Sequence, residues 1–162
     1  MTRLERLALP LIVVVSMLVM ISPARAAESC HTINAKGEGR ITEPTPTGFK
    51  TESRIIGGGL LHGTTTADLN LTSLDPTTGI ATFDGSLVLT ARNNRGTVTM
   101  SVADGVYNTV TGEFSSENNI LAGTGRLEGA SGHLFFHGFV LADGISFIDD
   151  EISGELCVDL AP

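Results

Sequence analysis

The chain has 162 residues, with 10 Lys+Arg against 18 Asp+Glu for a formal net charge of −8, 19 glycines and no tryptophan. That length suits one domain. So few basic residues exclude a nucleic-acid groove, which needs clustered Lys and Arg to displace counterions, and the composition lacks the Glu, Lys and Leu of a coiled coil.

The first segment is an address. Arg3 and Arg6 precede an apolar run from Leu7 to Ile21, and Ala24-Arg25-Ala26 closes it. A basic start, a short apolar stretch and a small-x-small end are the parts of a secretory signal peptide, and the run is shorter than the roughly 20 residues of a spanning helix. Ala27-Glu28-Ser29 puts a charge just before Cys30, where a lipidation signal needs small or apolar residues. The expectation is a leader over 1–26, a domain over 27–162, a secreted or periplasmic location, and no membrane span after cleavage. The leader takes a net +2 with it and leaves the mature chain at −10, an acidic surface that avoids nucleic acid. Cys30 and Cys157 lie at opposite ends of that chain, in a compartment where a disulfide persists. Two unrelated free thiols are the other reading.

The mature chain lacks long stretches of helical period and shows repeated period-2 alternation between Gly, Asn and Asp turn signals. Cys30–Ile41 is the first predicted strand, with His31, Ile33, Ala35, Gly37, Gly39 and Ile41 inward. Thr42–Lys50, with Pro44 and Pro46, reads as a loop, because proline cannot complete a ladder. Gly59–Thr72 is the second strand, with Leu61, Gly63, Thr65, Ala67, Leu69 and Leu71 inward. The third puts Ala81, Phe83, Gly85, Leu87, Leu89 and Ala91 inward. Thr97–Val102 is the fourth and Val106–Val110 a short fifth, separated by a turn at Ala103-Asp104-Gly105. Phe114–Ala122, Leu134–Leu141 and Ile145–Val158 complete eight predicted strands. An open sheet of that kind would leave long unpaired edges. Closure into a barrel removes them, and eight strands enclose either packed side chains or one small ligand. Cys30 and Cys157 then fall on the seam between first and last strands, both with outward parity.

The segment Gly123-Thr124-Gly125-Arg126-Leu127-Glu128-Gly129-Ala130-Ser131-Gly132 resembles the G-T/S-G-x-φ-x-x-A-x-G block of allene oxide cyclases and plant dirigent proteins. It is similar in particular to secreted bacterial proteins with an allene oxide cyclase barrel-like domain. The likeness runs loosely from Leu60 to Leu156, through strand spacing and glycine placement. It implies an all-β fold, an eight-stranded antiparallel calycin-like barrel of allene oxide cyclase type, often trimeric in the plant members. Those barrels bind an apolar or reactive small molecule and steer its cyclisation or coupling. Only the Gly123–Gly132 block aligns residue by residue, so no catalytic acid carries over. Dirigent proteins usually have Arg-Gly-Tyr where this chain has Ser131-Gly132-His133, a departure that speaks against lignan-type coupling.

Candidate chemistry follows from inward parity. Asp150 shares a face with Ile148, Ile152, Gly154, Leu156 and Val158, and seam pairing sets it opposite Gly37, which leaves room for a desolvated acid. The alternative is a strand end or bulge in Asp149-Asp150-Glu151 that turns Asp150 to solvent. Asn118 is the second candidate catalytic group, able to position a water or substrate oxygen, or else to satisfy backbone. Phe83, Leu87, Met100, Phe114 and Phe136 are the candidate ligand contacts. A three-residue turn at Ala142–Gly144 predicts His137 opposite Asp149 and Phe139 opposite Phe147, with Phe135, Phe139 and Phe147 an outward aromatic patch suited to an oligomer interface. His133 and His137 are roughly 13 Å apart along a strand, too far to share one ion. No Cys/His set has zinc spacing, no nucleophile elbow occurs, and no cofactor is implied.

Two functional readings stand. One is a secreted barrel that binds a small apolar molecule in its lumen, with an isomerase or cyclase as its enzymatic form. The other is a non-catalytic structural or interaction barrel with a packed interior, favoured by a cavity below about 300 Å³. The leader yields a direct expectation: N-terminal sequencing of the exported protein should begin at Ala27, and an exported chain that retains residues 1–26 would establish an anchor instead.

Overall fold

The computed structural model describes residues 29–57 and 59–158. The predicted leader therefore lies outside the described residues. The eight strands are β1 (Ser29–Pro44), β2 (Gly48–Gly57), β3 (Gly63–Asp75), β4 (Ile80–Ala91), β5 (Gly96–Asn108), β6 (Glu113–Gly123), β7 (Ser131–Val140) and β8 (Ser146–Val158). They form a closed antiparallel barrel in sequence order, with β8 returning to β1. Among the described residues, no helix is long and apolar enough to cross a membrane.

The number of strands matches expectation through two compensating differences. Gly48–Gly57 is a full strand, pairing Ile41 with Thr51 on one side and Thr51 with Ala67 on the other. Alternation hides it because its inward residues include Thr51 and Ser53, and Pro44 and Pro46 lie just before it. Conversely, the predicted fourth and fifth strands are one. Asp104 adopts φ 49°, and the ladder to β6 slips between Ala103 and Val106, so Asp104-Gly105 is a bulge within β5 rather than a turn. Gly105 is needed there because a Cβ would sit 2.4 Å from the Phe83 ring. Gly59–Leu61 forms a 3-10 turn before β3 and lies outside it.

The barrel has a closed end and an open end. At the closed end, two 3-10 turns, Gly59–Leu61 and Gly125–Leu127, drive Leu61 and Leu127 inward until neither retains exposed surface. Leu89, Val98, Met100, Ile152, Leu156 and Val158 are likewise fully buried. The Gly123–Gly132 block builds this floor. A Cβ on Gly123 would lie 1.7 Å from the Leu127 carbonyl oxygen, so glycine lets the turn fold back over the bore. Gly63 and Gly85, both read as inward, admit neighbouring backbone: Cβ atoms there would meet the Thr90 and Asp68 carbonyl oxygens at 2.1 Å.

At the seam, β1 and β8 pair from Ser29–Val158 to Arg40–Ser146. Cys30 faces Cys157 in that register and the two are joined as a disulfide, on the outer face of the barrel. The bond closes a sequence separation of 127 residues. Replacing Cys157 by Ser should lower unfolding stability by about 2–4 kcal/mol, because the open chain regains loop entropy. Denaturant unfolding checks this, and an unchanged midpoint would mean that the ladder alone holds the seam.

Candidate functional site

One insertion in β8 sets the chemistry of the open end. Against β7, His137 pairs with Glu151 and Gly138 with Asp149, so Asp150 is the extra residue of a bulge. Against β1, Ala35 pairs with Ile152 and Gly37 with Asp149, the same one-residue surplus. Alternation therefore reverses across the bulge. Ile152 and Asp149 are both buried, while Asp150 and Glu151 both lie outside. This corrects the expectation for Asp150, which faces away from the lumen. It also corrects the pairings built on unbroken alternation: Phe139 faces Ile148, and Phe147 faces Val140 and turns inward. The outward patch thus loses Phe147, which packs edge-on against Phe114 with ring centroids 5.8 Å apart.

Asp149 occupies the inward place. It is 4% exposed. Its Oδ2 fills the space that a Cβ on Gly37 would need, 2.6 Å away, so the room foreseen beside Gly37 exists but belongs to the neighbouring acid. Among the described residues it has no hydrogen-bond partner. Burial, and then the charge of Asp150, pushes its pKa up to about 7.

Asp150 is held outside by His137. Nδ1 of that ring lies 2.8 Å from Asp150 Oδ1, and Nε2 lies 3.0 Å from Glu113 Oε1. With both ring nitrogens donating to carboxylates, the imidazolium is favoured. The His137 pKa is raised, first by the Glu113 hydrogen bond and then by that of Asp150. One ring thus ties the bulge to β6 and β7, with Phe139 packed edge-on against it at 5.3 Å.

The lumen at this end holds a cavity of about 120 Å³. Phe83, Leu87, Phe114 and Phe136, the candidate ligand contacts, line it together with Asn118. Met100 does not: it is fully buried in the packed floor, deeper along β5 than the cavity-lining Val102. Phe49, Tyr107, Phe147 and Asp149 line the cavity without having been expected. Phe49 belonged to the apparent loop, Tyr107 follows the β5 bulge, and the other two precede the β8 bulge. Asn118 is 1% exposed. Its amide donates to the Ser116 hydroxyl at 3.0 Å and carbonyl at 3.3 Å, and to the Leu134 carbonyl at 3.5 Å. Its Oδ1 has no partner. Backbone satisfaction and a free acceptor therefore coexist in one side chain. A larger groove of about 660 Å³ runs past Glu38, Arg40, Glu52, Arg54 and Ile148. It is open and charged, whereas the smaller cavity encloses the buried acid.

No family model matches the chain, and no curated protein matches it. The chain is similar to a solved structure of a pterocarpan synthase dirigent protein, at 15% identity and a TM-score of 0.42, over 88% of this chain and 98% of that one.

Asp149 and His137, the shifted groups that titrate near neutral pH, give stability the same pH dependence. A carboxyl raised to about 7 in the fold keeps its proton longer than in the unfolded chain, so its ionisation between about pH 4 and 7 opposes folding. His137, also raised, stabilises the fold below its unfolded pKa, and this contribution is lost as pH rises through the folded value. The melting temperature should therefore fall between pH 5 and pH 8. Asp149→Asn should remove most of that slope, worth a few kcal/mol, and a variant with the wild-type slope would show that Asp149 is hydrated in place.

Proposed function

We propose that the protein is an exported barrel that takes a small, largely apolar molecule into the open half of its lumen. The observation that carries this reading is that a buried acid, Asp149, and a buried acceptor without a partner, Asn118 Oδ1, line one cavity walled by phenylalanines. A buried polar group without a partner costs about 1–3 kcal/mol, a cost that an apolar replacement would avoid in a barrel built only for packing. A ligand that meets these groups offsets it.

The volume narrows the occupant. At about 120 Å³ the cavity falls below the range that favours drug-sized ligands, and its lower half is filled by the leucine floor. A space of this order holds about one ring, as apolar cavities near 150 Å³ do for benzene. The small volume also favours the packed-barrel reading, so the two readings make opposite forecasts. If an isomerase or cyclase step occurs here, as the allene oxide cyclase resemblance suggests, Asp149 would be its acid, since Asp150 is turned away.

Native mass spectrometry of the protein purified from its own host decides between them. The wild type should carry a small adduct, and Ala67→Phe, which fills the cavity from β3, should carry none while keeping the fold. Bare wild-type protein whose melting temperature responds to no one-ring compound would establish the packed barrel.

A further inference from the structure

We infer that the lumen selects a small hydrophobic amine, bound as its ammonium between the Asp149 carboxylate and the aromatic wall. This rests on the small-molecule reading above and names the class of ligand. Three observations carry it. First, among the described residues no Lys, Arg or His lines the cavity, so Asp149 has no cation of theirs to pair with there. Secondly, an amide oxygen and a carboxyl group in the lining are left without donors, beside the hydroxyls of Thr51, Tyr107 and Ser116. Asn118 spends its amide protons on Ser116 and Leu134 and leaves Oδ1 free, and among the described residues the Asp149 carboxyl has no donor directed at it. Ser53 and Thr65 hydrogen-bond each other and so make no strong demand on a ligand. Thirdly, the remaining wall is rich in π faces, including Phe114, Phe147 and Tyr107. A cation among aromatic rings is attracted to their quadrupoles, more so when water is excluded.

An ammonium meets all three conditions at once. Its N–H groups supply donors to the carboxylate, and to Asn118 Oδ1 where the ligand reaches it. Its charge compensates that of Asp149, and its hydrocarbon part fills the apolar remainder. A neutral alcohol supplies a donor but leaves the acid without a counter-charge, and a hydrocarbon supplies neither. Binding the ammonium form to the protonated site releases the Asp149 proton to solvent, and the two charges then balance inside the lumen. The acidic chain, at −8 overall, draws cations toward the mouth.

The test compares benzylamine, benzyl alcohol and toluene by calorimetric titration of the full chain, disulfide intact, at pH 7.5. Benzylamine should bind at least about tenfold more tightly than benzyl alcohol, as expected for a charge-assisted bond to a buried carboxylate. In Asp149→Asn that preference should disappear while benzyl alcohol binding persists. This variant resembles the protonated wild type in shape and charge, so it should fold. Equal or tighter binding of benzyl alcohol or toluene to the wild type would overturn the amine assignment and leave the small-molecule reading standing. Failure of all three to bind at millimolar concentration would overturn both. A tenfold preference that survives in Asp149→Asn would also overturn the assignment.

Discussion

The structure depends on the antiparallel seam between β1 and β8. Without it the sheet would present two long edges, with their unpaired N–H and C=O groups open to other chains. With it, every strand has two neighbours and the inner face becomes a lumen. The disulfide is outside that lumen, so it reinforces closure without occupying the bore. The cysteine pair fixes the register at one end of the seam, and the β8 bulge shifts it by one residue so that Asp149 and Phe147 face Gly37 and Gly39 on β1. Those two glycines receive the Asp149 carboxyl and the Phe147 ring. The covalent link at one end of the strand pair and the acid near the other thus belong to one ladder, in two registers separated by the bulge.

The lumen is divided along its axis. Leu61 and Leu127, carried in by short 3-10 turns, convert one half into an ordinary hydrophobic core. The other half keeps its polar groups and its space. This arrangement separates the two demands on a small barrel: the floor supplies burial, and the mouth can retain groups that burial disfavours. Asp149 and Asn118 belong to the second set, and such sites commonly trade stability for function.

Much of this was legible in the sequence, for definite reasons. Strands with strict alternation, such as Cys30–Ile41 and the Ala81–Ala91 segment, announce both their existence and their inner face. The seam followed from two cysteines of like parity. The Gly123–Gly132 block pointed to the barrel, and the structure shows why: it forms a floor turn, where glycine is a steric requirement. What escaped were departures from period 2. β2 puts Thr51 and Ser53 inward, so its pattern resembles a polar loop. Asp104-Gly105 carries the chemistry of a hairpin turn but serves as a bulge. The β8 bulge moved the inward acid by one residue, and its signal was the acidic triplet Asp149-Asp150-Glu151, too polar to continue a half-buried strand undisturbed. Phe147 and Asp149 were misplaced together because both precede that bulge, whereas Cys157 beyond it was placed correctly.

That bulge has a consequence for how such a lumen changes over generations. A strand with one residue fewer at position 150 would rejoin the regular pleat with the same β7 partners, so Phe147 and Asp149 would stay in the bore and Ile148 outside it. What would go is the outer carboxylate that His137 holds. The hydrogen-bonded scaffold and the sulfur link could remain as they are. A single in-frame codon can therefore come and go on the outer wall while the chamber keeps its acid, and the two neighbouring carboxylates vary independently.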